Sequence, residues 1–199
     1  HHSLQDIAVM RAIPNINIIA PCDRFETKKL MSALVRTKTP TYVRLGRNAV
    51  PDVYHDDDFN FEIGKGVKLK EGDSVSLFAY GETVHLAIET AIELEKNNIS
   101  ASVINMHTIK PLDENLILKE AKKTKNLIVI EEHSIYGGLG GAIAELIAPT
   151  NLARLRIFAI PDEPTVTGNT KEVFKHYGIT KENISRVILK DLEEHSDER

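Results

Sequence analysis

The chain has no tryptophan, a single cysteine and an aromatic share of only 6% over 199 residues. So few aromatic faces argue against a stacking surface for single-stranded nucleic acid. Lysine and arginine number 25 against 29 acidic residues, a net charge of −4, so no basic footprint for a phosphate backbone is present either. Cys22 can form no internal disulfide, which fits a reducing compartment and leads us to expect a cytoplasmic protein. No apolar run approaches the roughly 20 residues that a membrane span needs, and no basic-then-apolar signal segment opens the chain. Neither the H-E-x-x-H spacing nor any Cys/His pair occurs, so no protein-held metal is expected. A Gly-x-Ser-x-Gly elbow and a P-loop are likewise missing. What remains is ordinary globular composition, 42% hydrophobic and 27% charged, long enough for one large domain or two small ones.

The first residues place Leu4, Ile7, Ala8 and Arg11 on one helical face, which Ile13-Pro14-Asn15 ends. Ile16 to Ala20 then reads as a buried strand. Asp23 stands where an N-cap belongs, and Glu26, three residues on, completes an Asp/Glu form of the capping box for a helix from Phe25 to about Arg36. Lys38-Thr39-Pro40 stops that helix, and Thr41 to Leu45 reads as a second strand, parallel to the first. From Gly46 to about Phe61 glycine, proline, asparagine and an acidic run replace any apolar period, the composition of a linker.

Beyond the linker the alternation resumes. Strands are predicted at Val67–Leu69, Ser74–Ala79, Ala101–Met106, Leu127–Ile130 and Leu155–Ile160, with helices at Thr83–Lys96, Pro111–Lys122, Gly141–Ile147, Thr170–Tyr177 and Lys181–Glu193. The expected fold class is therefore α/β: a doubly wound, mostly parallel sheet, preceded by a partial α/β unit. The first fifty residues supply too little to cover both faces of a parallel sheet and must lean on something else.

Several residues stand where chemistry is expected. Arg47 follows a strand's carboxyl end, the edge at which ligand crevices of open α/β sheets lie, and a guanidinium there can grip a phosphate with two donors; Arg44 lies near the end of that strand. The plainer alternative pairs Arg47 with Asp52 or with the aspartates at 56–58. The run Glu131 to Gly141 follows a strand and opens a helix, yet the third glycine of a dinucleotide fingerprint falls on Ile143, so its glycines read as structural. Glu131 and Glu132 are adjacent and should face opposite ways if the strand continues. His107 and Lys110 flank an architectural turn, in which Pro111 suits a helix's first turn and Asp113 and Glu114 its positive end. His1 and His2 read either as native residues or as an expression scar.

The combination of D-I-A-V-M-R-A-I-P-N, K-P-L-D and E-E-H-S-I-Y-G-G-L-G-G resembles the carboxyl-terminal section of transketolases, thiamine-diphosphate-dependent enzymes, over nearly the whole chain. The resemblance implies the end of a pyrimidine-binding domain at 1–47, a linker at 48–62 and a C-terminal domain at 63–199. It implies transfer of a two-carbon ketol unit between sugar phosphates, as in the pentose phosphate pathway, with thiamine diphosphate and Mg2+ held by parts outside this chain. His1 matches the histidine of the family's G-x-T-H motif, near the thiazolium, and is the implied catalytic residue. Its imidazole can hydrogen-bond a substrate carbonyl or carry its proton. Arg47 matches the arginine that binds the sugar phosphate; Arg44 has a counterpart in deoxyxylulose-phosphate synthases. No cofactor-binding residue is assigned. The implied partners are a second copy of the chain or a missing N-terminal section or subunit, in a homodimer or heterotetramer, and the fragment alone is expected to be inactive. A 1-deoxy-xylulose-5-phosphate synthase and the β subunit of a 2-oxo acid dehydrogenase remain alternatives. A non-catalytic dimerisation or docking module is the alternative of another class.

Overall fold

The computed structural model describes residues 3–47, 49–55 and 59–194. In the first part, α1 (Asp6–Ala12), β1 (Asn17–Ile19), α2 (Arg24–Leu34) and β2 (Thr41–Val43) follow in that order. Ile7 is the buried anchor of α1, and all of β1 is buried. The Asp23 carboxylate caps α2 by accepting from the Glu26 amide at 2.8 Å. The reciprocal half of the expected capping box does not form. The Glu26 carboxylate turns inward instead, to the Cys22 amide at 2.7 Å and the Asn105 side chain at 2.8 Å, both buried with it.

The second part contains β3 (Val67–Lys70), β4 (Val75–Ala79), α3 (Thr83–Glu95), β5 (Ala101–Asn105), β6 (Thr108–Lys110), α4 (Glu114–Thr124), β7 (Asn126–Ser134), α5 (Leu139–Ile147), β8 (Arg154–Ile160), α6 (Thr170–His176) and α7 (Lys181–Glu194). Five strands form a sheet of order β3-β5-β4-β7-β8, parallel except for the antiparallel edge strand β3. Every residue of β4 and β5 is buried, as a parallel sheet covered on both faces requires. The strand alternation sorts the core into two layers. Val75, Leu77 and Ala79 meet α3 and α7 through Val84, Leu94, Ile184 and Ile188. Phe78 and Tyr80 face the other way, toward Ile117 of α4 and Leu139 and Ile143 of α5.

Ile7 of α1 and Ile18 of β1 belong to this second layer. The first part is therefore built into the core of the second. A strand absent from the sequence reading makes the joint: β6 pairs antiparallel with β1, in a three-stranded sheet of order β2-β1-β6. The helix expected from Pro111 begins only at Glu114. Asp113 is its N-cap, accepting from the Leu116 amide at 3.2 Å, so the cap and not the proline sets the start.

Candidate functional site

The carboxyl ends of two parallel pairs, β1 with β2 and β4 with β7, converge. Ala20-Pro21-Cys22 follows β1, Arg44 to Arg47 follows β2, Tyr80-Gly81-Glu82 follows β4, and Glu131 to Ser134 closes β7. Between β4 and β7 the order of connections reverses, the point at which open sheets part to leave a crevice. A cleft of about 710 Å³ opens there, lined by Asp6, Tyr42, Arg44, Arg47, Glu82, Glu132 and the 165–174 segment. A neighbouring cleft of about 440 Å³ shares Leu45, Gly46 and Glu82 with it. A smaller cleft of about 210 Å³ sits at the opposite edge of the sheet, where the Arg156 guanidinium is held by Asp191 at 2.8 Å.

The two arginines of the cleft differ sharply. Arg44 is locked: its Nε lies 3.2 Å from an Asp6 oxygen and its Nη1 3.3 Å from a Glu132 oxygen, with 16% of the side chain exposed. Tyr42 also donates to Asp6, at 2.8 Å. Burial pushes the Glu132 carboxyl above the usual carboxylate range, with Arg44 pulling the other way. Arg47 is exposed on the cleft wall, and among the described residues it makes no hydrogen bond or ion pair. Asp52, one partner considered for it, is instead bound by Arg24 at 3.1 and 2.9 Å. The aspartates at 56–58 and the implied catalytic His1 lie outside the described residues.

The glycine-rich run opens α5 as expected, but its anion site is filled from within. The Glu131 carboxylate accepts from the Leu139 amide at 2.8 Å, the Gly140 amide at 3.0 Å and the Tyr80 hydroxyl at 3.2 Å. A Cβ on Gly138 would stand 2.1 Å from a Glu131 oxygen, so only glycine leaves room for the carboxylate. A ligand phosphate has no place there. Glu132, one residue on, points to the opposite face and to Arg44, so the adjacent carboxylates do not converge.

Among the described residues no group of three or more His, Cys, Asp or Glu side chains is placed to hold a metal ion. The charged lining of the large cleft, Asp6, Glu82 and Glu132 against Arg44 and Arg47, carries one net negative charge. Those residues do not fit the diphosphate end of a cofactor. No helix among the described residues is long and apolar enough to cross a membrane.

Asp6, Tyr42, Glu82 and the 165–174 segment were not singled out from the sequence. Glu82 alone carried a readable signal, since it follows the strongest strand at the sheet's carboxyl edge.

Residues 64–184 match the family model for the transketolase C-terminal domain, and residues 1–53 match that for the transketolase pyrimidine binding domain. The chain belongs to the transketolase family. It is 47% identical, over 189 residues, to one of the subunits of the apulose-4-phosphate transketolase of Phocaeicola vulgatus, covering 95% of this chain and 60% of that protein. It is 41% identical over 196 residues to the putative transketolase C-terminal section of Methanocaldococcus jannaschii, covering 96% of this chain and 60% of that protein. A 1-deoxy-D-xylulose-5-phosphate synthase of Desulfotalea psychrophila is 36% identical over 203 residues, of which this chain spans 32% of the length. Among solved structures, a split gene transketolase described as an inactive beta4 tetramer superposes with a TM-score of 0.88 at 33% identity, covering 96% of this chain and 62% of that one. This transketolase-family chain thus spans about 60% of the length of the first two curated relatives.

Proposed function

We propose that this chain is the C-terminal section or subunit of a transketolase that moves a two-carbon ketol unit between sugar phosphates. The observation that carries the reading is Arg47, exposed and uncommitted on a cleft where four strand ends meet, while Arg44 beside it is consumed by protein carboxylates. A relative whose name specifies a sugar phosphate and a subunit supports the same reading. In this proposal residues 1–47 end the pyrimidine-binding unit, 48–62 link, and 63–199 form the C-terminal unit. Arg47 binds the phosphate, and His1 hydrogen-bonds the reacting carbonyl or shuttles its proton. Thiamine diphosphate and Mg2+ are held by a partner section, or a second copy, in a cytoplasmic homodimer or heterotetramer.

The chain assayed alone, with cofactor, magnesium, a pentose-phosphate donor and an aldose-phosphate acceptor, should give no turnover above background. Activity should appear on adding the subunit that carries the diphosphate-binding part; turnover without it would overturn the proposal. In the assembled enzyme Arg47→Ala removes a charge-assisted contact of roughly 1.5–3 kcal/mol, or about ten- to a hundredfold in affinity. KM for phosphorylated substrates should rise by that factor while hydroxypyruvate is spared. Equal damage to both would assign Arg47 to the linker or to assembly. A 1-deoxy-xylulose-5-phosphate synthase is the second reading, favoured by the resemblance at Arg44, and pyruvate as the preferred donor would select it.

A further inference from the structure

Helix α1 is gripped by side chains from the later chain along its whole length. The Lys110 ammonium donates to the carbonyls of Arg11 at 2.9 Å and Ile13 at 2.6 Å, where the helix leaves acceptors unpaired. Arg11 reaches the Gly137 carbonyl at 3.0 Å and Glu145 at 2.6 Å. At the helix's start the Ser134 amide donates to the Leu4 carbonyl at 2.7 Å. Beside it the buried imidazole of His133 accepts from the Ala8 amide at 3.3 Å. The backbones approach so closely that a Cβ on Gly137, where φ is 75°, would lie 2.6 Å from the Ala8 methyl.

Of these grips His133 alone depends on a protonation state that changes near neutrality. Its Nδ1 lies 2.8 Å from the Ser134 carbonyl, which can only accept, so the ring proton sits there. The Ala8 amide can only donate and needs the Nε2 lone pair. A second proton would set two donors against each other, leaving the nearby Gln5 carbonyl as the acceptor for the new N–H. Ala8 is two residues from Asp6, whose carboxylate holds both Arg44 and Tyr42 at the cleft.

We propose that neutral His133 is a positioning residue of the cleft, fixing α1 through the Ala8 amide and thereby holding Asp6 where it orients Arg44 and Tyr42. Its consequence for catalysis rests on the function proposed above; the docking of α1 does not. Burial disfavours the charged ring most strongly and lowers its pKa from the ordinary 6.5. Asp6 on α1 favours protonation and Arg44 beyond β2 opposes it. Glu131 shares the face of His133 but is bound by the α5 amides, and Glu132 points away to Arg44. With a lowered pKa, the neutral grip is complete above about pH 6.5 and is lost as the pH falls through the native value.

Amide hydrogen exchange of the whole chain tests this, with rates corrected for intrinsic chemistry and α3 and α7 as internal references. Protection at Ala8 and its neighbours should fall about tenfold between about pH 8 and about pH 5, while α3 and α7 keep theirs. His133→Gln places an acceptor that cannot titrate near the Nε2 position and should abolish that pH dependence. His133→Leu should show the low protection already at about pH 8. Where a variant fails to fold, the wild type still decides: the His133 ring resonance and the Ala8 amide must titrate together by NMR. Protection of α1 that ignores pH, or pH dependence surviving in His133→Gln, would overturn the proposal. An assembled enzyme without ketol transfer but with the expected exchange pattern would instead refute only the function.

Discussion

Replacing Glu131 by alanine is expected to lower the stability of the folded chain by about 3–5 kcal/mol, as read from denaturant midpoints. Three donors would lose their acceptor at once: the amides of Leu139 and Gly140 and the hydroxyl of Tyr80. All sit in the buried layer that joins β7 to α5, where water cannot replace the carboxylate. A buried donor left unpaired costs about 1–3 kcal/mol, and the three together fall short of additivity because α5 can shift to recover part of the loss. Glu131→Gln keeps one oxygen and should lie between the two proteins. A loss below about 1 kcal/mol for the alanine variant would mean that α5 is held by its apolar face alone.

The second large effect is hidden in the wild type, because two buried groups work against each other. Burial holds the pKa of His107 down at about 4 from an ordinary 6.5. A depressed native value means stability that is present above about pH 6.5 and lost as the pH falls toward 4. Burial pushes the Glu26 carboxyl up from 4.5 to about 7, against the pull of the Cys22 amide and Asn105. A raised native value means stability that is present below about pH 4.5 and lost as the pH rises through 7. Each contribution is about 3 kcal/mol, of opposite sign over nearly the same window. Glu131, raised by burial to about 6, adds to the Glu26 side. His107→Leu should therefore unmask a protein that weakens from pH 4.5 toward pH 7, and Glu26→Gln one that weakens toward acid. Urea midpoints across that range check both, and identical pH slopes in all three proteins would contradict the account.

Periodicity alone located β4, β5, β7 and β8, and the helices α3 and α7, to within a few residues, since buried parallel strands are unbroken apolar runs and the helices are amphipathic. What escaped it was non-local. The strand β6 is three residues long and exists because β1, about ninety residues earlier in the chain, offers its edge. Glu26 satisfied a local capping pattern, yet the Cys22 amide just before the cap and the distant Asn105 side chain take its carboxylate instead. In the cleft, Arg44 and Arg47 look alike in sequence; the approach of Asp6 and of Glu132, 88 residues away, separates a locked guanidinium from an open one.

The antiparallel pair of β1 and β6 carries a consequence for the chain's continuity. The Ala20 amide reaches the His107 carbonyl at 2.8 Å, and the Gly81 amide reaches the Ala20 carbonyl at 3.2 Å, so hydrogen bonds stitch the two portions across the intervening segment. The intervening segment is therefore not their sole tie: these hydrogen bonds and the shared core around Ile7 and Ile18 join them as well. A peptide break in that stretch should leave the β1–β6 pair and the shared core in place, so that the two pieces should co-purify after limited proteolysis there.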